Sequence, residues 1–336
     1  MKSRHLLLVA VLCAHAFISC QSKEENATSV NPSILKRPPY RGLTDSIDAA
    51  PNDWMLRLQR ATLLSQHNRH ELANADYEAA WKMSNDESVA LELISNMLLV
   101  NQVPEAVQLL KQCIEKYPES GEFQRRLAEV YLQTGETGKA RRQYENIIAA
   151  DSTNFEAWHD LGSLLLQVED TAAAIQALER SFAIVPLNYT GLALAEIYAT
   201  SKNSRALAIC DMLLMNDSTQ KQTDPLFLKG LYYSETGQHE QAIAQFDEVI
   251  RRDWKLTDAY IEKGLIYFHQ KKFDEALKVF TLSATVSNTN ADSYYWIGRC
   301  HEKKGQPKEA IANYERALAL DENLYQARER LARLTQ

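Results

Sequence analysis

The residue types able to do chemistry are scattered along this sequence, not gathered. Gly135, Gly138 and Lys139 have the residue types of a phosphate-binding loop. Such a loop needs four residues between its glycines and a Ser or Thr after the lysine to hold Mg²⁺. Here only Glu136 and Thr137 intervene, and Ala140 follows, so nucleotide binding is not expected. His67 and His70 flank a turn three positions apart, but no third ligand is placed beside them, and they read as solvated side chains. Cys113, Cys210 and Cys300 lack metal-binding spacing. Being odd in number they cannot all pair, so they read as buried thiols. The doublets Arg125–Arg126, Arg141–Arg142 and Arg251–Arg252 have acidic neighbours and read as solvated faces, not a nucleic-acid stripe. Gly-x-Ser-x-Gly, His-Glu-x-x-His and paired catalytic carboxylates do not stand out. No catalytic residue, metal or cofactor is therefore assigned, and the chain is not expected to be an enzyme. A hydrolase or carrier would need a convergent trio of His, acid and Ser.

What must position the remaining side chains is set by composition and periodicity. The 336 residues are 45% hydrophobic and 24% charged, enough to bury a core. Only 11 Gly and 9 Pro argue against a many-turned β-sandwich. The net charge is −7; losing Lys2 and Arg4 with a leader would leave 35 basic against 44 acidic residues, or −9. Such a chain has no global field for nucleic acid or an anionic membrane surface. Its length fits two ordinary domains or one elongated array.

A period near 34 residues favours the array. Ala73, Ala106, Ala140, Ala174, Ala206, Ala242, Ala276 and Ala310 recur at spacings of 33, 34, 34, 32, 36, 34 and 34. Eleven or twelve residues before them stand Ala61, Ala128, Gly162, Ala195, Gly230, Gly264 and Gly298, with Ile94 the exception. Large apolar residues follow at helical spacing, such as Tyr144, Leu178, Phe246, Phe280 and Tyr314. Each unit reads as two amphipathic helices crossing where side chains are small, with aromatics filling the gaps beside the crossing.

Trp158, Leu161, Gly162, Leu165, Ala174, Leu178 and Pro186 resemble the tetratricopeptide repeat, and Tyr294, Gly298, Ala310, Tyr314 and Ala317 do so again. The resemblance implies an all-α fold, a TPR α-solenoid. It would be a right-handed superhelix of about eight helix-turn-helix repeats with terminal capping helices. The repeats are placed at 54–86, 87–120, 121–154, 155–188, 189–222, 223–256, 257–290 and 291–324. Residues 42–336 form the solenoid. Within it, a lone second helix around Leu43–Ile47 precedes the eight repeats and a cap helix at 325–336 follows them. The fifth repeat is one residue short in its inter-helix turn and has a long polar exit, so a local bend or a mobile loop is expected there.

The N-terminus reads as an address. A basic start precedes the apolar run Leu6–Phe17, too short to span a membrane. Ser19 and Cys20 after it resemble a bacterial lipobox, which implies a signal peptide at 1–19, lipidation of Cys20 and a flexible tether at 20–41. The whole resembles Bacteroidetes TPR lipoproteins. The implied location is the bacterial cell envelope, lipid-anchored at the outer membrane, with periplasmic face and cell surface both open. The acidic pair Glu24–Glu25 resembles a surface-export signal and reads equally as a hydrophilic linker.

In this family the first helices line a concave face. Here that face would be polar in the first half, with Glu122, Arg125, Arg126, Glu129, Glu156, His159 and Asp160. It turns apolar in the last three repeats. Phe227, Leu231, Ile261, Leu265, Phe268, Tyr295, Trp296 and Arg299 are the expected partner-binding groove, rimmed by Asp224, Asp258, Glu262 and Asp292. Any one of them could instead be core between neighbouring helices. The Lys/Asn clamp by which some members hold a C-terminal carboxylate is missing. The expectation is a scaffold that binds a protein or peptide ligand, meets the membrane through its lipid anchor only, and binds no nucleic acid. The alternative is a self-associating structural lipoprotein, so a homo-oligomer stays open.

Overall fold

The structure is a computed structural model that describes residues 32–215, 217, 219 and 221–335. Among them are 18 α-helices and no strand. The leader at 1–19, Cys20 and the first part of the tether lie outside the described residues.

The helices fall into two compact units divided between Ile184 and Val185. The first contains α1 (Arg41–Ala49), α2 (Trp54–Gln66), α3 (His70–Ser84), α4 (Glu87–Leu99), α5 (Val103–Lys116), α6 (Gly121–Gln133), α7 (Thr137–Ala150), α8 (Phe155–Gln167) and α9 (Thr171–Ile184). The second contains α10 (Asn188–Thr200), α11 (Arg205–Met215), α12 (Asp224–Glu235), α13 (His239–Arg252), α14 (Thr257–His269), α15 (Phe273–Val286), α16 (Ala291–Lys303), α17 (Pro307–Leu320) and α18 (Tyr325–Leu334). The first helix of every repeat starts within one residue of its expected position.

The crossings are as tight as the small residues require. A Cβ placed on Gly162 would lie 2.6 Å from Leu178 Cγ, and one on Gly230 2.6 Å from Phe246 Cε1. At Gly298 it would lie 2.7 Å from Tyr314 Cε1. Atoms cannot approach so closely, so only glycine lets these helix pairs meet with their apolar fillers in place. The recurrent alanines from Ala73 to Ala310 are fully buried opposite them.

Each hairpin turns on one left-handed residue: Asn68, Asn101, Gly135, Glu169, Lys202, Gly237, Lys271 and Gly305. The next N–H then reaches back to a carbonyl five residues earlier, as from Arg69 to Leu64 at 2.8 Å and from Lys272 to Tyr267 at 2.9 Å. This satisfies a carbonyl that the end of the first helix leaves open. In the fifth hairpin Ala206 follows the left-handed Lys202 by four positions, where Ala73 follows Asn68 and Ala276 follows Lys271 by five.

The tether reading is corrected over residues 32–41. Pro32–Lys36 form a 3₁₀ helix and Tyr40 is buried, its hydroxyl 2.9 Å from His67 Nδ1. The buried Arg60 guanidinium holds both oxygens of Asp76, at 2.6 and 2.8 Å, and donates to Thr44 Oγ1 at 2.9 Å. Thr44 in turn donates to the Leu35 carbonyl at 2.7 Å. A bidentate pair thus fastens the segment onto α1, α2 and α3. His67 and His70 are not merely solvated. The His70 Nδ1–H donates to Asn96 Oδ1 at 2.9 Å, while Asn96 Nδ2 donates to Asn74 Oδ1 at 2.5 Å. Asn74 Nδ2 donates onward to Gln102 Oε1 at 2.7 Å.

Candidate functional site

Helix geometry sorts the residues of α14 into faces. At about 100° per residue, Phe268, Ile261, Leu265, Asp258, His269 and Glu262 fall on one arc. Gly264 at one border of that arc packs on α15, and Lys263 on the far side pairs with Asp247 of α13 at 2.5 Å. The same offsets on α16 gather Glu302, Tyr295, Arg299, Asp292 and Trp296.

The structure brings the expected groove residues of α14 and α16 together but buries some of them. Phe268 and Tyr295 are 8% and 7% exposed, and Leu231 on α12 is 6% exposed. These three are mostly core. Phe227, Ile261, Leu265, Trp296 and Arg299 stay partly exposed. Trp296 lies edge-on to Phe268 at 5.3 Å and stacks on Phe280 at 5.8 Å. Phe227 sits apart from this cluster, edge-on to Phe246 at 5.5 Å.

Arg299 lies across the cluster, its guanidinium carbon 5.5, 5.8 and 5.6 Å from the Phe268, Tyr295 and Trp296 rings. Three ring faces stabilise a cation that is largely out of water. Its Nη1 donates to the Tyr295 hydroxyl at 2.9 Å, and Glu302 lies 3.9 Å from Nε. Glu302 is already engaged. It accepts from the Tyr314 hydroxyl at 2.6 Å and from Arg330 of α18 at 3.2 Å. Sequence reasoning missed Glu302 and Arg330, and read Tyr314 only as a packing residue, since nothing in the repeat period couples the cap helix to α16.

The corresponding polar face of the first unit neutralises itself. Arg125 reaches Asp160 at 2.8 Å and Glu156 at 2.9 Å; Arg126 reaches Glu122 at 2.9 Å and Glu129 at 3.3 Å. Burial pushes the Asp160 carboxyl up to about 6 even against the pull of Arg125. Burial, then Arg125, holds the His159 imidazole down at about 4.

On α14 a carboxyl sits without such a counterion. Burial, with the charges of Asp258 and Glu235 added, pushes Glu262 up to about 7. Burial also raises Asp224 and Glu196.

Other candidates settle into structural roles. The Cys113, Cys210 and Cys300 thiols are free and buried, and burial raises them to about 11, 12 and 12. Gly135 forms the left-handed turn between α6 and α7, and Lys139 pairs with Glu136 and covers the Tyr131 ring. Asp217 caps the exit of α11, accepting from Gln222 N at 2.8 Å with Arg252 3.8 Å away. A pocket of about 290 Å³ opens between α13, α14 and α15, with the Asp247–Lys263 pair and Tyr260 in its wall. Among the described residues no helix is long and apolar enough to cross a membrane.

Tetratricopeptide repeat family profiles match residues 97–165, 155–184, 227–285 and 291–324, together a little over half the chain. Human superkiller complex protein 3 is 29% identical over 110 residues, covering 33% of this chain and 7% of that protein. The chain spans less than a third of the length of the curated relatives it matches. Among solved structures, the C-terminal part of a TPR repeat-containing protein from Cytophaga hutchinsonii is similar, with a TM-score of 0.53 and 14% identity. That match covers 71% of this chain and 98% of the other. The type IV pilus biogenesis factor PilW matches with a TM-score of 0.53 and 15% identity, over 64% of this chain and 98% of its own. At such identities the likeness is one of fold. Period, crossing glycines, hairpin geometry and family matches agree: the chain belongs to the tetratricopeptide repeat family, whose helix hairpins serve as scaffolds for protein–protein interaction.

Proposed function

We propose that this protein is a membrane-anchored adaptor that captures a peptide or helical segment of a partner protein on the first-helix face of its second unit. The observation that carries this reading is the contrast between the two units. First-helix charges of the first unit pair with one another, as Arg125 does with Asp160. On α12, α14 and α16, partly exposed Phe227, Ile261, Leu265 and Trp296 stand among carboxylates instead. Aromatic and aliphatic anchors ringed by charge have the composition of a binding hot spot. The reaction is recognition without covalent chemistry.

The anchor is Cys20, lipidated after removal of residues 1–19, and the setting is the bacterial cell envelope at the outer membrane, in an assembly, secretion or cell-wall complex. The apolar run Leu6–Phe17 followed by Ser19 and Cys20 supports this. Several acyl chains, at about 0.8 kcal/mol per buried CH₂, hold a folded domain at a bilayer. Radiolabelled palmitate should be incorporated by the native chain and not by Cys20→Ala; equal labelling removes the anchor from the proposal.

The groove is tested with a photo-crosslinking residue in place of the exposed His269. One discrete adduct in cells, lost when Ile261 and Leu265 become alanine, is the expected outcome. An adduct that survives both truncations in a folded variant overturns the groove. An adduct to a second copy of this chain replaces the adaptor with a self-associating scaffold.

A further inference from the structure

The repeat gives an internal comparison. Asp160 is the sixth residue of its repeat, counted from Phe155, and Glu262 is the sixth of its own, counted from Thr257. Both acids are partly buried. For Asp160 the preceding helix provides Arg125, which donates its Nε–H at 2.8 Å. Arg125 is the fifth residue of its repeat, and the fifth residue of the repeat before Glu262 is Phe227. Phe227 brings an aromatic ring and no charge. The charges felt by Glu262 are Asp258 on its own helix and Glu235 from α12, both of its own sign. Glu235 itself pairs with Lys202 at 3.8 Å. One repeat later the same position holds Trp296, which fills its seam between Phe268 and Phe280. So this chain fills the seam with an ion pair in one repeat and an indole in another, but at α14 leaves a desolvated acid among acids. A carboxyl buried without a cation destabilises the fold. Such local conflicts mark functional positions.

Building on the groove reading above, we infer that the partner segment is cationic and amphipathic. It sets a Lys or Arg side chain into the α12–α14 seam against Glu262 and lays apolar side chains on Ile261, Leu265 and Trp296. The partner's cation does for Glu262 what Arg125 does for Asp160. Asp224 of α12 favours a further basic residue in the segment. An acidic or neutral amphipathic segment would leave the carboxyl uncompensated and bind more weakly.

The test selects a phage-displayed library of random 16-residue peptides on the full chain and on Glu262→Gln, which keeps side-chain shape and removes the charge. Enriched sequences are resynthesised with a fluorescent label. The expected result is one Lys or Arg position between apolar positions, enriched on the native chain and not on the variant. Replacing that residue with norleucine, or Glu262 with Gln, should each weaken binding by at least about tenfold, and the two losses should not add. Selected peptides that are apolar without a fixed basic residue, and that lose affinity in Leu265→Ala, overturn the cationic partner and leave the groove standing. Peptides indifferent to both Glu262→Gln and Leu265→Ala, or no enrichment at all, overturn the cation and the groove together.

Discussion

Glu262 has a second consequence that needs no ligand. Its carboxyl lies near 7 in the folded chain against an ordinary 4.5, so between those values the folded state holds a proton that the unfolded state has lost. The contribution of Glu262 to stability therefore rises as pH falls from above 7 towards 4.5, and above 7 the native state carries its whole penalty. Glu262→Gln should raise the melting temperature most at pH 8, by a gain on the order of 1–3 kcal/mol, and the gain should vanish by pH 4.5. Melting curves at both ends of that range check it; a variant less stable at pH 8 would mean that the acid is structural. Arg60 presents the opposite case. Removing it as Arg60→Ala takes away both hydrogen bonds to buried Asp76 and leaves it Arg57 at 3.6 Å, which should cost about 3 kcal/mol in a denaturant titration. Of these residues the crossing glycines and alanines were legible, because a period announces them. The pairing of Arg60 with Asp76 was not, since ion-pair partners follow from side-chain reach and carry no period. Leu231, Phe268 and Tyr295 were read as groove and prove to be mostly core, because spacing gives a residue's face but not how far its neighbour covers it.

The helix hairpin is the unit at which sequence and structure agree most closely. First-helix starts fall within a residue of expectation because apolar spacing and small-residue positions both fix them. Where the structure adds something is the turn. Glu169, Lys202 and Lys271 hold the left-handed conformation that Gly135, Gly237 and Gly305 hold in sister repeats. A side chain there is strained by about 1–2 kcal/mol, partly offset by glycine's greater freedom when unfolded. Lys271→Gly should therefore stabilise the chain by about 0.5–1 kcal/mol, read as a shift in denaturation midpoint at constant slope. Gly264→Ala should do the reverse. Its methyl would collide with the Phe280 ring, and separating α14 from α15 should cost about 1–3 kcal/mol in the same titration. The prolines before α1 were read as a tether, and the structure corrects that over 32–41. Composition hides the single buried Tyr40 and the Thr44 hydroxyl that fasten the segment.

Across the molecule, the division between Ile184 and Val185 escaped the sequence, since each repeat resembles the next on both sides of it. Repeat arrays are held by nearest-neighbour contacts, and stability can differ between stretches. Native-state hydrogen exchange should sort the most protected amides into two groups that part near residue 185. A single shared opening energy would count against independent units.

The amide relay of the first unit, from His70 through Asn96 and Asn74 to Gln102, bears on how such a chain could be shortened. Excising 87–120 as one whole repeat would keep every period intact. It would also set Val130 where Asn96 had been, and Asn74 would face hydrocarbon. Neighbouring modules here are keyed to each other by polar locks, so trimming or shuffling them by the 34-residue ruler alone breaks a lock that the ruler does not see.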